Sequence, residues 1–198
     1  MKTLSERPTR EQTRERILAK ADELLRHFGL AKTTVADIAG ALGMSPANIY
    51  KFFPSKDAII QADAERSLAG LKKNITAIMA SSSGALAAIE ALALAVFRWH
   101  SQYFRHEPQL FQLFLTANTE HWDCVRDFKK FLLQKITETI AAATQTGEFK
   151  ISDLAATARV LIDCLAVVIE PTASPDPDNK LTEKRIRALV GFLGRALH

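Results

Sequence analysis

Apolar residues recur at helical spacing along nearly the whole chain, and no stretch alternates apolar with polar beside turn signals. This periodicity excludes sheets, barrels and sandwiches and leaves an all-α protein. Nine helices are expected. The first covers about Arg10–Phe28, where Ile17, Ala21, Leu24, Leu25 and Phe28 share one face. Thr9 with Gln12 forms a capping box before it, and Gly29 is a stop signal after it. The second covers Val35–Leu42 behind Thr34, with Asp37 at the third helical position. The third starts after Ser45 with Pro46 at its first position, where a missing N–H costs nothing, and Pro54 lies beyond its end. The fourth starts after Ser55 and runs to about Ala80. The others are expected at about 85–105, 109–116, 123–144, 153–169 (capped by Ser152) and 181–197. A Pro-rich loop at 171–179 separates the last two.

The same pattern bounds the class of protein. The apolar stretch Ala85–Phe97 is interrupted by Glu90 and is shorter than the roughly 18–20 residues of a membrane span. The first ten residues contain no apolar run, so no signal peptide is expected. Two cysteines, Cys124 and Cys164, are too few and too far apart for a thiolate metal site, and a chain of 198 residues needs no disulfide. A cytoplasmic location is the expectation.

Charge divides the chain. Residues 1–57 hold 10 Lys+Arg against 7 Asp+Glu, and residues 58–198 hold 16 against 15. Between Ile38 and Lys56 there is no acidic residue, while Lys51 and Lys56 are present. This acid-free window lies inside the stretch TVADIAGALGMSPANIYKFF, residues 34–53. Val35, Ile38, Ala39 and Leu42 provide one apolar face, and Ala39 is small where a second helix must cross closely. Gly43 stands at the turn, where positive φ is cheap. Ile49 and Phe52 provide the facing side. Two short crossed helices with a tight turn are the helix-turn-helix arrangement, whose second helix enters the DNA major groove.

The longer stretch TRERILAKADELLRHFGLAKTTVADIAGALGMSPANIYKFFPSKDAIIQA resembles the DNA-binding domain of the TetR family of transcriptional regulators. The resemblance rests on the TRERIL opening, the apolar spacing of the first helix, the Phe28-Gly29 pair, the TTVADIA run, the Gly-Met-Ser turn and the IYKFFPSKDAI ending. It implies a nine-helix architecture. A flexible arm at 1–9 would precede a DNA-binding domain at 10–57, and an effector-binding and dimerisation domain would occupy 58–198. Ala47 and Asn48 depart from the family's common residues. They fall where the recognition helix meets base edges, so they concern the operator sequence rather than binding itself.

The resemblance and the chemistry of the side chains together nominate DNA contacts. Thr34, Ser45, Tyr50, Lys51 and Lys56 are candidates for phosphates, and Arg10 for the backbone further along. Thr34 and Ser45 are helix caps in any case. Pro46, Ala47 and Asn48, with Lys51 as a further option, are candidates for base readout, since Asn pairs bidentately with adenine and Ala touches a thymine methyl.

In the larger part, Ile89, Leu92, Val96, His100 and Tyr103 share a helix face, and Phe104, Phe111, Phe114, Trp122, Phe128 and Phe131 add aromatic bulk. Core packing explains most of them. The resemblance implies a largely apolar effector pocket among the fourth to seventh helices, for which Val96, His100, Tyr103, Phe114, Asn118, Trp122 and Phe128 are the candidates. It also implies a homodimer through the eighth and ninth helices, whose apolar circumference needs burial. Arg159 and Asp163, four residues apart, are placed to pair.

No HExxH, no Gly-rich phosphate loop and no GxSxG elbow is present. Neither catalysis, cofactor nor metal is therefore expected. The reading is a DNA-binding regulator, a repressor released from a palindromic operator by a small molecule. The alternative is an effector-independent regulator whose larger domain only dimerises; a solid core between the fifth, sixth and seventh helices would favour it.

Overall fold

The computed structural model describes residues 8–170 and 181–197. The expected arm lies outside the described residues up to position 7, and the expected Pro-rich loop at 171–179 lies outside them entirely. Ten helices and no strand are found among the described residues: α1 Arg10–Lys32, α2 Val35–Ala41, α3 Pro46–Ile49, α4 Lys56–Ala80, α5 Ala85–His106, α6 Pro108–Thr119, α7 Asp123–Thr146, α8 Leu154–Cys164, α9 Ala166–Ile169 and α10 Glu183–Arg195. No helix among them is long and apolar enough to cross a membrane.

The tenth helix arises because the expected eighth breaks in two at Leu165. The break turns the last stretch onto α5, so that Leu165, Val168 and Ile169 are all buried. A straight helix leaves its apolar circumference partly in water, as Val160 and Val167 on α8 and α9 still are. The cap of α8 is Asp153, whose carboxylate accepts from Ala156 N at 2.9 Å, rather than Ser152. Arg159 and Asp163 form no ion pair among the described residues; both are exposed. Gly29 interrupts α1 at φ 78°, but helical hydrogen bonding resumes and continues to Lys32. Phe28, expected on the buried face, is half exposed, because the chain turns immediately after it.

The caps at the amino end follow the sequence closely. Thr9 and Gln12 form their reciprocal box before α1, and Thr34 and Asp37 do so before α2. Ser45 accepts from Asn48 N, and Ser55 from Ala58 N. Each such cap contributes about 1 kcal/mol.

Two buried cores organise the molecule. Ile17, Leu18 and Ala21 of α1, Val35, Ile38 and Ala39 of α2, Ile49 of α3, Phe53, and Ile59 of α4 form a small one. We call this part the reading head. Its last member lies on α4, so this helix begins inside the head's core. The large core joins α4, α5, α7, α8, α9 and α10, with Phe149, Leu92, Leu132, Ile136 and Ile140 almost fully enclosed. Gly194 of α10 lets it approach α5, since a Cβ there would run into Leu86. Glu148 reaches from the α7–α8 connection to accept from Ala85 N at 2.9 Å, which caps α5 where Gly84 has no side chain to do so. A third, smaller cluster of Leu25, Ile60, Tyr103, Leu110, Phe111, Leu113 and Phe114 lies between the two.

Candidate nucleic-acid interface and sensor cavity

The head presents α3 on a rigid support. Gly43 at φ 65° makes the turn between α2 and α3, and Met44 N bonds back to Ala39 O at 2.8 Å. Ile49 is fully buried against α1 and α2, which sets the rotation of α3. Its other side then faces outward. Pro46, Ala47, Tyr50 and Lys51 are exposed, and Asn48 is half buried. Tyr50 is the largest outward apolar surface of this region, at 51% exposure, so its ring is not part of the core. Thr34 and Ser45 stand exposed at the starts of α2 and α3, and Arg10 is exposed at the start of α1.

Lys56 differs from the other candidates. It is half buried, and its ammonium donates to Leu30 O at 2.5 Å near the end of α1. A cation there meets the negative end of the helix. Lys56 therefore fastens α4 to α1 inside the head.

A cavity lies among α4, α5, α6, α7 and α9, in the larger part of the chain, which we call the sensor after the role expected of it. Leu68, Trp99, His100, Phe114, Asn118, Val125, Phe128, Lys129 and Ile169 line a space of about 30 Å³. Four of the seven expected residues, His100, Phe114, Asn118 and Phe128, are on its wall. Val96 is fully buried in the core behind it, and Tyr103 lies one ring further out, 5.0 Å from Phe114. Trp122 faces a separate surface cleft of about 480 Å³ with Gln61, Glu65, His121, Asp123, Cys124 and Asp127, and its Nε1 donates to Glu120.

Two polar groups at the cavity are unusual. Asn118 Oδ1 is buried and has no hydrogen-bond partner. His100 faces the Val168 carbonyl, and burial lowers its pKa to about 4, against the opposing effects of that carbonyl and Glu170. The imidazole is thus neutral near pH 7. Burial likewise raises the Cys124 thiol, so no thiolate is prepared there.

Reasoning from sequence missed the joint between head and sensor. Asp22 and Arg26 of α1, Asp63 and Arg66 of α4, and Glu107 before α6 form one charged cluster. Asp63 is only 2% exposed. Burial, then the charge of Asp22, raises its pKa to about 6, against Arg66 and Arg26. A signal was available: Asp63 falls four residues after Ile59 and three after Ile60, in the middle of an apolar helix face.

A capped head with an exposed recognition helix, joined by one long helix to an all-helical domain, is the build of a helix-turn-helix DNA-binding regulator. The comparisons agree with that class. Residues 17–62 match the family described as bacterial regulatory proteins of the tetR family, and residues 85–190 match the tetracyclin repressor-like C-terminal domain. The chain belongs to the TetR family of transcriptional regulators.

Solved structures share the fold at low identity. A transcriptional regulator from Cytophaga hutchinsonii is 23% identical, with a TM-score of 0.71 over 92% of this chain and 97% of that one. A TetR/AcrR family regulator from Thermobifida fusca is 22% identical, with a TM-score of 0.67 over 94% and 98%. RolR, solved in complex with resorcinol, is 18% identical, with a TM-score of 0.60 over 95% and 88%. No curated protein matches the sequence.

Proposed function

We propose that this regulator is a homodimeric repressor that leaves a palindromic operator when a small effector with an aromatic ring and a hydrogen-bond donor enters the sensor cavity. The observation that carries this reading is Asn118 Oδ1, a buried acceptor without a partner at an aromatic wall. A buried polar atom left unpaired costs about 1–3 kcal/mol, and a donor on a ligand removes that cost. Trp99, Phe114 and Phe128 offer ring faces and edges around it. The neutral His100, its N–H turned to the Val168 carbonyl, offers its other ring nitrogen as an acceptor. The resorcinol bound in RolR has this kind of chemistry, a ring with hydroxyl donors.

A space of about 30 Å³ has room for only one or two water molecules, at roughly 10–15 Å³ each. An effector must therefore displace wall side chains, and that displacement is the source of a conformational shift. Occupied and empty states then differ in structure, as any ligand-driven change of DNA affinity requires. α4 carries the shift, because Leu68 is in the cavity wall and Ile59 is in the head's core. On the DNA side, Arg10, Thr34, Ser45, Tyr50 and Lys51 hold phosphates, while Pro46, Ala47 and Asn48 meet base edges; Lys56, engaged with Leu30 O, supports the head instead. The dimer forms on α8 and α10, where Val160 and Phe192 are 57% and 63% exposed in the single chain.

The small cavity equally favours a second reading, an effector-independent regulator whose sensor only dimerises. One experiment separates them. A duplex selected by the protein from a random-sequence pool is titrated with protein, with and without simple phenols at millimolar concentration. Release by a phenol that also raises the Tm, with both effects lost in Asn118→Leu, supports the effector reading. Unchanged binding and Tm across the phenols overturns the proposed ligand chemistry.

A further inference from the structure

A charged cluster lies beside the apolar cluster at the joint between head and sensor. Arg26 Nε donates to Asp22 Oδ2 at 2.9 Å on its own helix, and Nη1 donates to Glu107. Its guanidinium carbon is 5.9 Å from the centroid of the Tyr103 ring on α5. Tyr103 packs on Trp99 at 4.7 Å and on Phe114 at 5.0 Å, and those two rings are 4.4 Å apart. Trp99 and Phe114 are also cavity walls. An unbroken set of contacts thus runs from the cavity to α1.

α4 reaches the same place. Arg66 Nη2 is 2.8 Å from Asp63 and 3.9 Å from Asp22 Oδ2. Three sensor elements, α4, α5 and the start of α6, converge on Asp22 and Arg26, one turn apart on α1. Little slack is available beside them. Gly29, three residues on, lies so close to the Gln109 side chain of α6 that a Cβ would overlap it.

We propose that Arg26 is the positioning residue of the DNA-binding head: it passes displacement of the Trp99–Tyr103–Phe114 cluster to α1, and passes DNA docking back to the cavity. The side chain suits this task. A guanidinium is a planar fork that pairs with carboxylates and stacks on a ring at the same time, so its orientation is set from several sides. Closely packed rings do not deform independently, so a shift of Trp99 or Phe114 must move Tyr103. Coupling between two sites is reciprocal, so a path that carries effector binding to DNA must carry DNA binding to the cavity. This proposal deepens the regulation described above, but its test contains no effector. A failed effector screen and a failed relay are therefore separate results.

The chain supplies its own probes. Its two tryptophans, Trp99 and Trp122, both lie outside the head. In a Trp122→Phe background, only Trp99 reports. Full-length protein is titrated with the selected duplex while Trp99 emission is recorded. The anisotropy of a labelled copy of the duplex measures binding in parallel. With Arg26 present, saturating DNA shifts the Trp99 emission. Arg26→Met keeps duplex affinity within about threefold of the parent and loses the emission shift, because the thioether chain fills the space without pairing or charge. Glu107→Gln, which leaves Arg26 over the Tyr103 ring, keeps affinity and at least halves the shift. The proposal is overturned if Arg26→Met binds the duplex and shows the full shift, or if DNA leaves Trp99 emission unchanged with Arg26 in place.

Discussion

The reading head and the sensor are held together by different means. The head is built from neighbours in sequence: four side-chain caps, one glycine turn and a core of nine buried residues. The sensor is built from distant segments, with α5 at its centre packed on α4, α7, α9 and α10. The head therefore has little core in reserve, while the sensor has a large one. A chain of this kind can move its head as a unit and deform its sensor locally.

Core substitutions test that contrast most strongly. Ile49→Ala removes the side chain that seats α3, and Phe149→Ala opens the centre of the sensor. Each costs about 2–5 kcal/mol. Ile49→Ala is expected to abolish DNA binding and to strip amide-exchange protection from α1–α3, while α7 stays protected. Phe149→Ala is expected to lower the Tm of the whole chain. Equal loss of protection in both regions from both variants would show that head and sensor are one cooperative unit.

pH separates the joint from the cavity. Asp63, at the joint, holds its proton up to about pH 6 in the folded chain, while an unfolded Asp loses it near 3.8. Its contribution is present below about pH 4 and is lost as pH rises to about 6. His100, at the cavity, has a folded pKa of about 4 against 6.5 unfolded. Its contribution is present above 6.5 and is lost as pH falls toward 4. Each amounts to about 3 kcal/mol across its window, with opposite signs. Compared with the parent, Asp63→Asn should add a rise in stability from pH 4 to 6, and His100→Gln a fall. Denaturant midpoints at half-unit pH steps measure both. Parallel profiles for parent and variants would remove either group from the balance.

Within the head, specificity and support should separate. Asn48→Ala is expected to relax preference at one operator position by about 1–3 kcal/mol, read from binding to single-base variants of the selected duplex. Lys51→Ala should weaken all duplexes alike and reduce the salt slope by about 1. Lys56→Ala should instead lower the head's stability, since Lys56 Nζ is engaged with Leu30 O. A larger salt effect for Lys56 than for Lys51 would reverse that assignment.

Much of the head was legible beforehand because its determinants are local. Thr9 with Gln12, Thr34 with Asp37, and Ser45 before Pro46 each act within four residues, and the structure keeps all three. The sensor was legible as helices and as an apolar set, but not as a site. Of the expected cavity residues, Val96 and Tyr103 share a helix face with His100 yet lie behind or beside the wall. Helical spacing gives the direction of a side chain, and only the position of α6 and α7 decides which directions leave space.

The same limit explains Leu165 and the joint. Nothing within the run from Leu154 to Ile169 announces a break; it follows from the fit of Val168 and Ile169 against α5. Arg26 and Glu107 are 81 residues apart, and their pairing exists only once α1 crosses the start of α6. The sequence by itself determined the all-helical class, the capped reading head, the outward face of α3 and the family. The tertiary structure decided the cavity, the broken α8 and α9, and the charged joint. Periodicity and capping act over a few residues along the chain, whereas cavities and buried ion pairs are made by segments that meet only in space.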